Sequence, residues 1–100
     1  MTDLEELTKK VVKFRNTRNW KQYHSPKNQA IGLMIEAAEF LEVFNYSLNH
    51  RIPKNQKRHF EEELIDVLYW VLLIAHDNKI DIKKAFEQKM KKNGEKHPLI

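Results

Sequence analysis

Residues 64–75 read LIDVLYWVLLIA, and Asp66 carries the only charged side chain of this stretch. The apolar residues surround the whole circumference of a helix instead of forming one stripe, so this helix must be covered on all sides. A chain of 100 residues has little else with which to cover it. We therefore expect a second subunit to pack against the apolar girdle, defined as Leu68, Tyr69, Leu72 and Leu73. The alternative is a central helix wrapped by its own chain.

The rest of the chain also has helical spacing of apolar residues, without strand-like alternation or an internal repeat. Thr2, Ser25 and Asp81 are typical helix N-caps, and Pro26 suits the first turn of a helix. These signals predict four helices at about residues 2–17, 25–48, 56–76 and 81–93, the last one stopping before Gly94. The expected fold is all-α, a four-helix bundle completed by oligomerisation as a homodimer or homotetramer.

Length and composition limit what this protein can be. One hundred residues predict a single domain, residues 1–100, and the lack of cysteine excludes disulfides and thiolate zinc sites. The longest uncharged apolar run, residues 67–75, is too short to cross a membrane. The first six residues are polar and acidic, unlike a targeting peptide, so we expect a cytoplasmic protein without a membrane partner.

The net charge of +4 is concentrated near the C-terminus. Residues 79–97 hold seven lysines and three acidic residues, which leaves the rest of the chain balanced. Such a local excess suits an anionic partner, either a nucleic acid or a phosphate ligand, and it is also typical of a solvated helix face. One hypothesis for function is therefore a small basic helical module that binds nucleic acid.

Two pairs of acidic residues border the apolar helix faces. Glu36 and Glu39 lie about 60° apart on the second helix, and Glu63 and Asp66 repeat this spacing on the third. Two antiparallel helices would bring the pairs together, and four converging carboxylates repel one another unless a cation lies between them. Oxygen ligands alone favour Mg²⁺ or Mn²⁺. A nucleic-acid-binding module has no use for these acids.

Structural explanations exist for individual acids. Asp66 can pair with a lysine or arginine in the core, and Glu61 and Glu62 can complement the dipole of their helix. Glu42 is either solvated or a supporting ligand. A purely structural bundle would gain stability when Glu39 or Asp66 is replaced by an apolar residue.

The order of the acidic pairs resembles a known signature. Glu36-Ala37-Ala38-Glu39, then 23 residues, then Glu63-Leu64-Ile65-Asp66 resembles the E-x-x-E and E-x-x-D motifs of MazG-like all-α nucleoside triphosphate pyrophosphohydrolases. Residues 14–28 resemble the stretch before the first acidic pair in the dCTP pyrophosphatase branch of this family. Residues 89–98 resemble its terminal Lys-x-x-x-Asn and basic-aromatic-Pro element.

The resemblance implies cleavage of a nucleoside triphosphate, with dCTP or a modified pyrimidine nucleotide favoured, to the monophosphate and pyrophosphate. House-cleaning of nucleotide pools would be its role. It implies that Mg²⁺, with Mn²⁺ as an alternative, is held by the catalytic carboxylates Glu36, Glu39, Glu63 and Asp66. It further implies that the substrate is bound by Trp20, His24, Asn28, Trp70, Lys89 and Asn93. Independently of the resemblance, bases can stack on the flat side chains of Trp20, Tyr23, Tyr46 and Trp70.

Overall fold

The computed structural model describes residues 1–45, 47 and 49–99, and these residues form helices and connections without any strand. Helix α1 spans Asp3–Thr17, α2 spans Pro26–Glu42, α3 spans Lys57–Asp77 and α4 spans Ile82–Lys96. A short 3-10 helix, Trp20–Tyr23, lies between α1 and α2. The all-α class and the four helices are confirmed. In the described part of the chain, no helix is long and apolar enough to cross a membrane.

Three of the helices begin at the side-chain caps that the sequence predicts. The hydroxyl oxygen of Thr2 accepts a hydrogen bond from the backbone N–H of Glu5 at 3.1 Å. Ser25 does the same for Asn28, at 3.2 Å. The carboxylate of Asp81 caps α4 by accepting from the backbone of the third residue beyond it. Each cap satisfies a backbone donor that has no partner inside the first turn of its helix.

The predicted end of the second helix is wrong. Instead of continuing to about residue 48, α2 ends at Glu42 and residues 43–45 form a turn. Val43, the residue that follows the last one of α2, keeps helical backbone angles and is 6% exposed, so the helix ends beside a residue of the core. Leu48 and Tyr46 lie outside the described residues.

The predicted end of the fourth helix is also wrong, because α4 continues through Gly94 to Lys96. A glycine inside a helix costs about 1 kcal/mol relative to alanine, which weakens a helix without ending it. Pro98 follows the observed end, and a proline disfavours helical backbone at the residue before it.

Helices α2 and α3 form the main pair of the bundle, and they are antiparallel. At one end of the pair the ring centroids of Phe40 and Phe60 are 5.0 Å apart. At the other end Gln29 donates a hydrogen bond to Asp77. Helix α1 also packs on α3, so α3 is the central helix. The buried apolar side chains are those of Val43, Leu72, Leu73 and Ala75.

Helix α4 packs little against the other three helices. Among its residues, Ile82 and Asn93 are half-buried and the rest are exposed. The radius of gyration is 16.3 Å, whereas a compact chain of this length would have about 13 Å. The single chain is therefore extended.

The chain itself covers half of the apolar girdle of α3. Leu72 and Leu73 are 2% and 0% exposed, and Leu68 and Tyr69 are half-buried. Leu72 and Leu73 are therefore not available to a second subunit, and a contact through Leu68 and Tyr69 stays a prediction. Apolar side chains are exposed instead on what we call the α2/α3 apolar face, made of Ile31, Met34, Ile35, Leu41, Leu64 and Ile65. Oligomerisation stays a prediction, and this face is now its basis.

Candidate metal centre and adjoining cavity

Three carboxylates come together where α2 and α3 pack. Glu36 and Glu39 lie on successive turns of α2, and Glu63 lies on α3. One oxygen of each lies within 4.8 Å of the others, and all three side chains are half-buried. Three acidic groups this close repel one another strongly unless a proton or a cation lies among them.

Two oxygens of this cluster have no partner. Glu36 Oε2 and Glu63 Oε2 are buried and form no hydrogen bond within the described part of the chain. The other oxygen of Glu63 lies 3.2 Å from Nε2 of His59. Unpartnered buried carboxylate oxygens are costly, and a cation between the carboxylates would satisfy both of them. The donor set fits Mg²⁺ or Mn²⁺, since both ions prefer oxygen ligands.

The pKa of Glu36 reflects this crowding. Burial contributes most, followed by a hydrogen bond with Glu39 and by the charges of Glu39, Asp66 and Glu63, and together they raise the pKa of Glu36 to about 7. Without a cation, the cluster therefore holds a proton up to about neutral pH. A bound divalent cation would take the place of this proton.

Asp66 lies next to the cluster and not within the group of three. Its charge contributes to the shifted pKa of Glu36, and both residues line the same cavity. The side chain of Asp66 is exposed. No lysine or arginine of the described chain forms an ion pair with it, so the alternative of a core salt bridge is wrong for the single chain.

The remaining acids of these helices are surface groups. Glu61 and Glu62 pair with Lys57 and Arg58 one turn earlier on α3, at 3.9 and 3.1 Å. Glu42 is exposed at the end of α2. These arrangements agree with structural roles for Glu61 and Glu62.

A cavity of about 590 Å³ opens beside the carboxylates. Its walls are formed mainly by apolar and aromatic side chains of α1, α3 and the connection between α1 and α2. Trp20, His24 and Trp70 line it, together with Glu36 and Asp66. Stacking of a flat ligand on these side chains would leave a charged end of that ligand near the carboxylates.

The aromatic side chains around this cavity support one another. The ring centroid of Phe14 lies 5.8 Å from that of Trp20 and 6.1 Å from that of Tyr69, and both ring pairs are edge to face. Tyr69 and Trp70 are again edge to face, at 5.5 Å. The hydroxyl of Tyr69 is buried without a hydrogen-bond partner within the described residues.

Gly32 of α2 allows Trp70 to approach closely. A Cβ atom at position 32 would lie 2.5 Å from Cζ2 of the Trp70 indole, well inside van der Waals contact. Because the indole is rigid and packed, it cannot yield as a flexible side chain would. The glycine therefore determines where this wall of the cavity stands.

A buried polar network lies at the end of the cavity away from the carboxylates. Arg15 is 1% exposed and donates to both carboxylate oxygens of Asp77, one of them at 2.9 Å. Gln29 is 0% exposed and donates to Asp77 at 2.6 Å. The bond from Arg15 holds the pKa of Asp77 below its usual value, although burial opposes this. The network joins α1, α2 and α3.

Three of the substrate-binding residues implied by the resemblance do not line this cavity. Asn28 is exposed and donates through Nδ2 to the backbone carbonyl of Tyr23, a bond that holds the connection before α2. Lys89 and Asn93 lie on α4, which contributes no residue to the cavity wall. In the single chain, α4 borders a different cleft, between the start of α1 and the end of α3.

Sequence reasoning assigned no role to Arg15, Gln29 or Gly32. A signal for Arg15 existed, because it is four residues after Val11 and so shares the inward side of α1. An arginine on such a side needs a buried partner. Which acid supplies that partner depends on long-range packing, and Asp77 is 62 residues further along the chain.

The fold and the site together define a class. This is an all-α protein with a carboxylate cluster that suits a divalent cation, beside a cavity that suits a flat ligand. The model of the MazG nucleotide pyrophosphohydrolase domain matches residues 25–100, and the chain belongs to this family. The resemblance found in the acidic motifs is thereby confirmed, and membership favours a hydrolase over the nucleic-acid-binding module.

Known proteins agree with this assignment. A crystal structure of a pyrophosphatase from Archaeoglobus fulgidus superposes with a TM-score of 0.90 and 35% identity, covering 99% of this chain and 95% of that one. The dCTP pyrophosphatase 1 of Mus musculus is 28% identical over 96% of this chain. The dCTP pyrophosphatase 1 of Homo sapiens is 27% identical over 95%. The chain spans 59% of the length of both curated relatives.

Proposed function

We propose that this protein is a divalent-metal-dependent hydrolase that cleaves nucleoside triphosphates between the α and β phosphates, with a deoxycytidine nucleotide as its best substrate. One observation carries the proposal: Glu36, Glu39 and Glu63 cluster beside an aromatic cavity that Glu36 lines, and two of their buried oxygens have no hydrogen-bond partner among the described residues. Family membership supports the reaction class. The names of the curated relatives support the base.

The proposed roles follow from position. The three glutamates, with Asp66 beside them, would hold Mg²⁺ or Mn²⁺. A bound divalent cation supplies charge neutralisation of the phosphates and an activated water for in-line attack on the α phosphorus. The carboxylates would orient the bound cation at the edge of the cavity. Trp20 and Trp70 would hold the base by stacking.

Lys89 and Asn93 stay proposals as phosphate ligands. Since α4 does not reach the cavity of its own chain, such contacts would require a second copy of the chain to bring its α4 there. The proposed homodimer or homotetramer would meet this requirement.

The reaction is tested by incubating the full chain with each common nucleoside triphosphate and Mg²⁺, Mn²⁺ or a chelator. We expect dCMP and pyrophosphate from dCTP, with kcat/KM higher than for dATP or dGTP, and no turnover with the chelator. Release of orthophosphate would overturn the proposal. Equal kcat/KM for purines and pyrimidines would overturn only the base preference.

The cavity is tested by Trp20→Ala, which removes a stacking surface worth about 1–3 kcal/mol. We expect KM for the nucleotide to rise. Tyr23→Ala is the matched control, because Tyr23 belongs to the same short helix, is 63% exposed and does not line the cavity. Equal KM values for the two variants would show that the base binds elsewhere.

A further inference from the structure

The Arg15 guanidinium is held in one position by groups on two other helices. It lies on α1, is 1% exposed, and is fixed by Asp77 at the end of α3. Asp77 is fixed in turn by Gln29 of α2, whose own side-chain oxygen accepts from Asn78 at 3.4 Å. A guanidinium engaged in this way presents its remaining N–H groups in fixed directions.

One of these directions leads to His24. Nη1 of Arg15 lies 3.3 Å from Nδ1 of the imidazole. A guanidinium is always protonated and has only donors, so Nδ1 must be the acceptor. In a neutral imidazole the nitrogen that accepts carries no proton, which places the proton on Nε2.

The surroundings keep the ring neutral. Burial and then the charge of Arg15 lower the pKa of His24, and the charge of Asp77 opposes them. A doubly protonated ring would also place an N–H against the N–H of Arg15. The contact of Arg15 with Nδ1 and the charge of Arg15 therefore both favour a neutral imidazole with its proton on Nε2.

The imidazole also borders the cavity. His24 is one of the residues that line the cavity wall, and its ring packs on Trp70, with ring centroids 5.2 Å apart. Within the described part of the chain, the hydrogen bond of the His24 side chain is the one that Nδ1 forms with Arg15, so Nε2 is not engaged by the chain itself. Its proton is consequently available to a ligand.

We propose that Arg15, held by Asp77 and Gln29, is a positioning residue that fixes His24 as a neutral hydrogen-bond donor through Nε2–H. Nε2–H of His24 would donate to an uncharged acceptor of the ligand, either a carbonyl oxygen or an unprotonated ring nitrogen of a nucleobase. The role toward a nucleotide rests on the proposed function. The tautomer does not, since it follows from contacts within the chain.

The tautomer is tested on the wild-type chain by nitrogen-15 NMR of its histidine side chains near pH 7.5. The His24→Gln variant identifies the His24 signals, which it lacks. We expect Nε2 to be protonated and Nδ1 to be unprotonated. A proton on Nδ1, or on both nitrogens, would overturn the proposal without bearing on catalysis.

The positioning role is tested with Arg15→Lys, which keeps a charge for Asp77 and loses the fork that also reaches His24. We expect a mixture of tautomers and a KM for the nucleotide raised up to about tenfold, the value of one hydrogen bond, with kcat little changed. Arg58→Lys, the same change in an exposed pair, should alter neither. Should Arg15→Lys fail to fold, the wild-type spectrum and the KM of His24→Leu decide the question.

The outcomes separate the two proposals. A mixed tautomer in Arg15→Lys with an unchanged KM would overturn the role toward substrate. An unchanged KM in His24→Leu would do the same. If NMR shows the expected tautomer but the chain hydrolyses no nucleoside triphosphate, the proposed function is overturned and the protonation state of His24 is still established.

Discussion

Gly32 cannot be replaced by a larger residue without a loss of stability, because the indole of Trp70 occupies the space that a side chain would need. In Gly32→Ala the new Cβ would lie 2.5 Å from the ring. Overpacking of this kind costs about 1–3 kcal/mol, which outweighs the gain of about 1 kcal/mol in helix propensity. We expect a lower free energy of unfolding, measured by urea denaturation.

Gly94 provides the matched control, because it is also a helical glycine and nothing lies within 4 Å of a Cβ added there. Gly94→Ala should raise the free energy of unfolding by about 0.5–1 kcal/mol. Two variants that both gain the same stability would show that Trp70 moves aside freely.

The acidic cluster leads to a second residue-level prediction. Glu39→Gln and Asp66→Asn should each lose activity and weaken the rise in melting temperature that Mg²⁺ causes. Without metal, both should fold with equal or higher stability, since each removes a repelling charge. Glu62→Gln, on the exposed side of α3, is the control and should behave like wild type. Wild-type turnover in both variants would place the metal site elsewhere.

Among the elements, α1 depends on α3 through the buried pair of Arg15 and Asp77. The pKa of Asp77 is below its ordinary value of 3.8 in the folded chain. Above pH 3.8 the carboxyl of Asp77 is ionised in the unfolded chain as well, so the pair contributes fully to the free energy of unfolding. As the pH falls below 3.8 and through the lowered pKa of the folded chain, this contribution is lost. We expect part of the acid unfolding below about pH 4 to come from Asp77.

Asp77→Asn tests this dependence. It leaves Arg15 buried without a countercharge, which costs about 3–5 kcal/mol at pH 7, and it should flatten the decline of stability below about pH 4, where the carboxylate of Asp77 takes up its proton. Breaking the exposed pair with Glu62→Gln should cost less than about 1 kcal/mol. The same acid decline in Asp77→Asn and wild type, by urea denaturation at each pH, would contradict the assignment.

The local elements were predictable where their signals are local. The caps at Thr2, Ser25 and Asp81 lie within three residues of the groups they satisfy, and all three predictions are confirmed. The end of α2 at Glu42 was not predictable, because no proline or glycine lies between Glu42 and residue 48 of the sequence.

The candidate site was predictable to the same degree. The i, i+3 spacing indicates that two glutamates share a face of α2, and the structure brings Glu63 to them. The sequence spacing did not reveal that Asp66 is exposed or that α4 lies away from the cavity. Both depend on how the helices pack against one another, which no single segment encodes.

At the scale of the whole molecule, the exposed α2/α3 apolar face predicts self-association. Met34 and Leu41 are 74% and 68% exposed, and a single chain gains nothing from apolar side chains in water. Light scattering at micromolar concentration should give a multiple of the 12.1 kDa chain mass. Met34→Lys should lower the mass toward that of one chain, whereas Lys27→Met, near the start of the same helix, should not. A monomeric wild type would refute the prediction.

The sparse packing of α4 implies that the chain is not equally resistant to unfolding along its length. A helix held by few buried side chains opens at a low free-energy cost, so its amide hydrogens should exchange with solvent before those of α2 and α3. Its lysines should then be early sites of cleavage by trypsin. If self-association covers α4, that cleavage should slow as the protein concentration rises. The rate of tryptic cleavage in α4 would then measure the extent of assembly.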